Sequence, residues 1–441
     1  MAIYETILER DVVILGGGAT GSFAAIALKD LGKSVVVVEK RDQLGGHTNT
    51  YADSATGKAV NFGVQIYHNT SVVRRFHQRL GITVAPLPRP TIKPLYVDFS
   101  KPVIVDNYTV SMVGPDYTDQ LRKYPYLEDG FHLPDDVPED LLLPWSEYAT
   151  KYNIDQSQHA IFQAPGSPGD PSKRLAVYVF NFVNSLVLSA MKGDIVRNVN
   201  GDNSELFRNA HAEIGTENVL LGSNVTSATR SPSGIKLVVS TAEGEQTIHA
   251  KQLIVAAPPQ ASNLEPLGLD SREQKILGQV EGCPFYTGVI TSTGLPTQFS
   301  YYGVGADAYY QAIQPPSVAY IMPSPAAPGH FFYGYTSLEP LGQNEVEARV
   351  RKSIRGLQTL LVANGSDTTA EPQFRAFADN TPFHMELSAE SIRGGFYKEM
   401  DTLQGYRNTW YIGALSAITS SLLWSNTEAI LPRIMSAIDG E

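Results

Sequence analysis

The chain has 441 residues, with 34 Lys and Arg against 45 Asp and Glu, a net charge of −11 and one cysteine. At roughly 100 to 200 residues per domain it holds two or three domains with substantial cores. The acidic balance without a Lys/Arg tract excludes the footprint of a nucleic-acid binder, and a lone Cys283 excludes an internal disulfide and a thiolate metal cluster, so no metal site is expected.

Met1 to Arg10 carries Glu5, Glu9 and Arg10 and lacks the apolar core of a signal peptide, so a cytoplasmic location is expected. Asp11 to Leu15 is an aliphatic run suited to a buried parallel strand, and it passes directly into Gly16-Gly17-Gly18-Ala19-Thr20-Gly21. Phe23, Ile26, Ala27 and Leu31 recur at helical spacing, Gly32 can end the helix, and Ser34 to Val38 is a second aliphatic strand closed by Glu39. G-x-G-x-x-G alone is weak evidence; inside a β-α-β unit with an acid ending the second strand it reads as a dinucleotide fingerprint. Gly16 allows the tight turn, Gly18 lets backbone approach a pyrophosphate, Gly21 lets the helix pack on the sheet, and Glu39 accepts from ribose hydroxyls. Gly303 to Ala308 also matches loosely, but no aliphatic strand precedes it and no acid follows, so it reads as an ordinary turn.

A second glycine turn follows at Lys40-Arg41-Asp42-Gln43-Leu44-Gly45-Gly46-His47-Thr48, and a third at Asn61-Phe62-Gly63-Val64. Gln65, Tyr67 and His68 come next, then a short helix that Ser71 can cap, with Val72, Phe76 and Leu80 facing inward. From about 86 to 173 prolines and acids become frequent, and Ala164 to Pro171 is a strong turn-and-loop signal. Leu175 to Met191 reads as one buried helix; its Asn181, Asn184 and Ser185 leave it short of the ~20 apolar residues a membrane span needs. A helix is expected near 204 to 214, an antiparallel meander at Val219–Arg230, Ile235–Thr241 and Glu245–Ala250, and a separate parallel-type strand at Gln252–Ala257. Between Ile276 and Ala348 there is no Lys or Arg, while Tyr286, Tyr301, Tyr302, Tyr309, Tyr310, Tyr320, Tyr333 and Tyr335 crowd in, so a strand-rich domain with a flat apolar pocket is expected. Val346, Val350, Ile354, Leu357 and Leu361 mark an amphipathic helix with Arg349, Arg351, Lys352 and Arg355 outside. Thr409 to Ile412 is a strand ending at Gly413, and a helix starts near Ser425 that Pro432 should kink or shorten.

The stretch from Gly16 to Thr48 resembles the flavin amine oxidase superfamily, whose members place Gly-Gly and a cationic residue here to cross the pyrophosphate a second time. The resemblance covers nearly the whole chain. Asp140 to Tyr148, Met191 to Asp194 and Leu403 to Gly413 are similar to the bacterial polyunsaturated fatty acid double-bond isomerase, and the chain is also similar to fungal β-cyclopiazonate dehydrogenase-like proteins. The resemblance implies an amine oxidase-like α/β architecture: a Rossmann-type FAD-binding domain from 1–85, 215–262 and 386–441, a helical or loop insertion at 86–214, and a strand-rich α+β substrate domain at 263–385. It implies noncovalent FAD on Gly16, Gly18, Ala19, Thr20 and Gly21, on Glu39, Lys40 and Arg41, and on Gly45, Gly46, His47 and Thr48. Val225 would hold the adenine edge, Gly63 and Val64 would line the isoalloxazine, and Gly413 and Ala414 would approach the ribityl chain.

Two positions depart from the family pattern. His47 stands where Arg is usual, which replaces a permanent cation by a switchable donor, and Ala414 stands where an acid is common, so a hydrogen bond there must come from backbone, Ser416 or water. The substrate segment also lacks the lysine that holds a flavin-N5 water in many amine oxidases, which argues against a plain amine oxidase. Tyr67, Gln65, His384 and Tyr397 are the candidate catalytic groups, Tyr397 because Phe396-Tyr397 lies where the family sets an aromatic against the flavin. The resemblance implies an FAD-dependent oxidoreductase that removes hydride from an activated C–H of a hydrophobic aromatic or unsaturated small molecule in secondary metabolism, with molecular oxygen as a candidate acceptor. A redox-neutral C=C isomerase and a non-catalytic flavin-binding protein are the alternatives.

Overall fold

A computed structural model describes residues 7–88, 92–110, 112–163 and 169–440; most of the expected Ala164–Pro171 loop and the start of Met1–Arg10 lie outside the described residues. The chain builds β1 (Ile7–Leu15), α1 (Ala19–Asp30) and β2 (Val35–Val38). Val12, Val13, Ile14 and all of β2 are buried, as parallel strands covered on both faces require. The sheet runs in the order Val219–Leu220, β2, β1, Gly244–Val255, Gly234–Thr241, Asn224–Ser231.

Gly244–Val255 is one continuous strand where two were expected. Along one edge it pairs parallel with β1, from Ile7↔Thr247 to Leu15↔Val255. Its other edge is shared: the first half pairs antiparallel with Gly234–Thr241, and Leu253–Val255 pairs parallel with Thr409–Tyr411. The sequence changes character where the partner changes, because only the second half is covered on both faces.

The faces of this sheet separate two layers. Val12, Ile14, Val35 and Val37 pack under α1, Ser71–Arg79 and Ser420–Asp439, while Val13, Val36, Val38 and Tyr411 face the helices between 115 and 191 and those between 261 and 403. Thr70 rather than Ser71 caps the helix Ser71–Arg79, accepting from the Val73 N–H at 3.4 Å. The C-terminal helix starts at Ser420 on a Thr419 cap and continues through Pro432. Pro432 lies on the exposed side, so the Glu428 carbonyl deprived of its donor is beside water.

The expected single helix at 175–191 is two, Ala176–Phe182 and Ser185–Met191. Asn184 breaks it: its side chain accepts from the N–H groups of Leu186 and Val187 and donates to Glu128 O, so it caps the second helix better than it would continue the first.

A second sheet runs Gln373–Asp379, Phe285–Thr291, His330–Thr336, Ser317–Pro323, Phe299–Gly303, Lys93–Asp98, Val103–Ile104. The amphipathic helix Gln343–Leu360 covers one face with Val346, Val350, Ile354 and Leu357. The expected tyrosine pocket is corrected here. Strand alternation sends Tyr286, Tyr301, Tyr333 and Tyr335 under that helix as core, with Tyr286 Oη accepting from Leu341 N and Tyr301 Oη donating to Pro296 O. Tyr320 packs on the other face, with Phe332.

The 86–214 stretch is spread over four environments instead of forming one insertion, and its helices between 115 and 191 pack on the first sheet. Lys93–Asp98 and Val103–Ile104 close the second sheet, Ile195–Asn198 pairs with Tyr67–His68 and Val84–Pro86, and Ser204–Ile214 packs on α1. Among the described residues no helix is long and apolar enough to cross a membrane.

Candidate dinucleotide cradle and reaction chamber

The three glycine turns stack on one another. Gly45 N donates to Gly17 O at 2.9 Å, and Val64 N donates to His47 O at 3.1 Å. Three positions leave no room for a side chain: a Cβ would stand 1.9 Å from Gly16 O at Gly21, 2.9 Å from Ala257 N at Gly16 and 2.0 Å from His47 O at Gly63. Gly18 differs, because its Cβ would meet nothing nearer than Gly46 Cα at 3.6 Å. Space remains there between the two turns, at the N-terminus of α1 where the first N–H groups have no helical partner.

Glu39 is buried, and its two oxygens accept from Gly17 N at 2.7 Å and Arg41 N at 2.8 Å. The acid therefore fixes the first turn as well as ending β2. Gly222 N donates to Arg41 O and Ser223 N to Glu39 O, which brings the strand carrying Val225 to the same end of the cradle. Arg41 sits inside, its Nη1 donating to Gly46 O at 2.6 Å and its Nη2 to Asp379 O at 2.9 Å. Lys40 is exposed. Thr48 N donates to Gly45 O and closes the second turn.

Burial, with the charges of Arg41 and Lys40, pushes the His47 imidazole down to about 4, and its ring packs on Phe383 at 5.1 Å. Gly413 has φ +114 and faces Thr20, whose Oγ1 would lie 3.4 Å from a Cβ there. The Ser416 hydroxyl donates to Gly413 O at 3.0 Å, so it braces the turn next to Ala414. Steric exclusion at Gly16, Gly21 and Gly63, orphan N–H groups at the start of α1 and an acid at the end of β2 fit a dinucleotide crossed by two turns.

The four candidate catalytic residues separate. Tyr67 is buried in the core between His77 and Trp424, at ring distances of 4.6 and 6.1 Å, and faces neither cavity. Gln65 braces the third turn, its Nε2 donating to Asn61 O and Gly63 O. His384 and Tyr397 do border open space. His384 lines a small chamber with Phe131, Phe182, Glu386 and Ala414, so a catalytic and a cofactor candidate meet there. Its φ of +47 is a left-handed conformation rare for a side chain larger than Gly or Asn, the kind of strain that gathers at functional sites.

Tyr397 stacks on Phe131 at 4.5 Å and donates to Tyr178 Oη at 3.3 Å. Burial holds both phenols well above their ordinary range. Tyr397 and Phe131 also line an outer cleft of about 380 Å³ along the edge strand Thr409–Tyr411. Gln404 satisfies that edge as a strand would, donating to Tyr411 O at 2.7 Å and accepting from Tyr411 N at 3.0 Å. Phe131 and Leu415 are common to chamber and cleft.

Sequence reasoning missed Glu386 and Arg174. The Glu386 carboxylate lines the chamber and its Oε1 accepts from Arg174 Nε at 2.5 Å; the Arg174 side chain is 4% exposed. The one available signal was that Glu386 lies two positions from His384, on the same face of the strand Phe383–Glu386.

Residues 14–80 match the profile of the NAD(P)-binding Rossmann-like domain. That profile covers the first glycine turn and β-α-β unit; FAD follows from the relatives. The chain is 47% identical to the FAD-dependent oxidoreductase dbaF of Emericella nidulans, over 98% of this chain and 92% of that one. It is 36% identical to the FAD-dependent oxidoreductase pigF of Monascus ruber, over 98% and 94%, and 31% identical to β-cyclopiazonate dehydrogenase of Aspergillus flavus, again over 98% and 94%. Among solved structures the fold is similar to a CLA-producing fatty acid isomerase from P. acnes, with TM-score 0.76 and 16% identity over 96% of this chain and 98% of that one. It is also similar to cyclohexylamine oxidase from Brevibacterium oxydans, with TM-score 0.68 and 17% identity over 98% and 99%. With such identities along almost the whole of both chains, this protein belongs to the family of FAD-dependent oxidoreductases that includes β-cyclopiazonate dehydrogenase.

Proposed function

We infer that this oxidoreductase takes hydride from an activated C–H of a hydrophobic aromatic or unsaturated small molecule of secondary metabolism, with noncovalent FAD and molecular oxygen as the acceptor to test first. The outer cleft of about 380 Å³ carries the reading: Phe131, Tyr397, Met400, Leu415 and Ile430 line it beside Gly413. A fungal relative named for β-cyclopiazonate dehydrogenation supports the substrate class.

Bound FAD supplies a two-electron acceptor. The chain supplies the rest. The stacked turns would orient the cofactor, and Arg41 sets a fixed charge beside the second turn. Noncovalent binding agrees with the place of the lone thiol: Cys283 lies in the strand Glu281–Cys283 of the substrate region, and burial pushes it up to about 11, far from a reactive thiolate.

The test is the visible spectrum of the purified protein, repeated on the supernatant after denaturation, followed by anaerobic mixing with candidate aromatic and polyene substrates. Released flavin and a single anaerobic turnover, measured as loss of the oxidised-flavin absorbance, support the reading. Sustained conversion without an acceptor makes the protein an isomerase instead. A colourless protein that takes up no FAD overturns the assignment of the cradle.

A further inference from the structure

The chamber and the outer cleft share a wall. Phe131 and Leu415 face both, Tyr397 lines the cleft, and Tyr178 lines the chamber. The two tyrosines meet through that wall, Tyr397 Oη donating to Tyr178 Oη at 3.3 Å. The chamber itself is about 20 Å³. A buried water needs roughly 10 to 15 Å³ and two to four polar partners, so the space suits one water and nothing larger.

The polar partners can be counted. A phenol has one O–H to give and two lone pairs on which to receive. Tyr178 is 5% exposed, and its lone pairs are taken by Leu387 N at 2.7 Å and by Tyr397 Oη. Its own proton has no acceptor at hydrogen-bond distance among the described residues. Burial, and with it the charge of Glu386, holds this phenol above its ordinary range, so the carboxylate is near without being bonded to it. Arg174 Nε takes one of the roughly four lone-pair positions of that carboxylate, at Oε1 and 2.5 Å, and the others remain. Asn181 spends its Nδ2 on Leu127 O and Gly130 O, which leaves Oδ1 as the acceptor it offers the chamber. One donor and two acceptors thus border the space of a molecule that accepts once and donates twice.

We propose that the chamber binds one ordered water, which accepts from Tyr178 Oη and donates to Glu386 and Asn181 Oδ1, and that Tyr397, Tyr178 and this water carry a proton from the cleft to the Glu386 carboxylate. The inference rests on the reading of the cleft as the substrate site. An acceptor-only group at the far end turns every O–H of the row toward itself, so the lone pairs of Tyr397 Oη are left for an N–H or O–H of the ligand. Dehydrogenation of such a ligand releases a hydride and a proton. The C–H electron pair leaves with the hydride for the flavin, and the N–H or O–H pair stays to form the new double bond. The freed proton goes to Tyr397 Oη as Tyr397 gives its own to Tyr178, Tyr178 to the water and the water to Glu386. Only the carboxylate ends with a proton more than it began with. Arg174 is the positioning residue that holds it in place.

A crystal structure of the FAD-loaded protein reads the site directly. One water is expected in the chamber, its oxygen about 2.6 to 3.2 Å from Tyr178 Oη and from the Glu386 carboxylate. A dry chamber, or a water bonded to neither group, overturns the proposal without any variant having to fold. The path is read by anaerobic flavin reduction with two donors. Indoline must lose a hydride from carbon and a proton from nitrogen, whereas 1-benzyl-1,4-dihydronicotinamide loses hydride alone. Tyr178→Phe and Glu386→Gln should each lower the ratio of the indoline rate to the dihydronicotinamide rate about a hundredfold, the scale of a positioned proton acceptor. A purely structural role for either residue would slow both donors alike and leave the ratio unmoved.

An unmoved ratio therefore overturns the path, as does a flavin that the dihydronicotinamide reduces and indoline does not. The proposal and the reading beneath it fail separately. A dry chamber in a protein that both donors reduce overturns the proposal and leaves hydride transfer standing. A water in place in a protein that neither donor reduces overturns hydride transfer and, with it, the path.

Discussion

The guanidinium of Arg41 donates to the carbonyl of Gly46 at 2.6 Å, setting a permanent positive charge against the second glycine turn six positions before His47, whose imidazole burial pushes down to about 4. Arg41→Met should weaken FAD binding about tenfold or more, the scale of a lost charge-assisted hydrogen bond, whereas His47→Gln should change it much less. Titration of the apoprotein with FAD, followed by flavin fluorescence, compares the two.

Gly18 and Gly21 are equivalent in the motif and unequal in the structure. A Cβ at Gly21 would stand 1.9 Å from Gly16 O, so Gly21→Ala should prevent the β1–α1 turn from forming and yield little folded protein. Gly18 has space, so Gly18→Asp should fold and bind no flavin, its carboxylate meeting the pyrophosphate. Circular dichroism and bound-flavin content, measured on both variants, separate the two failures. Stoichiometric flavin in folded Gly18→Asp would show that the pyrophosphate lies elsewhere.

His77 is 1% exposed, packed against Tyr67 and Trp424, and burial pushes its imidazole down to about 4. In the unfolded chain it titrates near 6.5, so the unfolded state binds more protons between these values. Its contribution to stability is complete above pH 6.5 and is lost as pH falls toward 4. For this single group the loss reaches about 2 kcal/mol at pH 5. Urea midpoints at pH 7.5 and pH 5 should differ accordingly, and His77→Phe should narrow the gap.

Arg230 and Glu273 form a fully buried pair, bonded at 2.6 and 2.8 Å, to which Arg407 and Tyr411 Oη are joined. Glu273→Ala strands a buried guanidinium and should cost about 3 to 5 kcal/mol. Replacing both partners, as Arg230→Met with Glu273→Leu, should recover much of that loss. Thermal midpoints of the two variants decide the point.

What could be read in the sequence was what the chain resolves locally. The aliphatic run, Gly16 to Gly21 and Glu39 lie within one β-α-β unit, and the bond from Gly17 to Glu39 joins residues close in sequence. The tyrosines were misjudged because composition says nothing about which face of a strand meets the helix Gln343–Leu360. Tyr67 looked like a polar contact, yet Trp424, which flanks it, arrives from the far end of the chain. The Arg174–Glu386 pair spans 212 positions and leaves no periodic trace. Asn184 was legible in principle, since Asn before Ser is a start signal inside an apolar run.

Strand Thr409–Tyr411 completes the edge of Gly244–Val255, and Trp424 Nε1 donates to Ala19 O at 3.0 Å, so the last segment of the chain seals the first turn. A growing chain on the ribosome can have made Gly16 to Gly21 long before the residues that hold α1 in place exist. Formation of that turn and its bracing are therefore separate events, because Trp424 follows Ala19 by 405 positions.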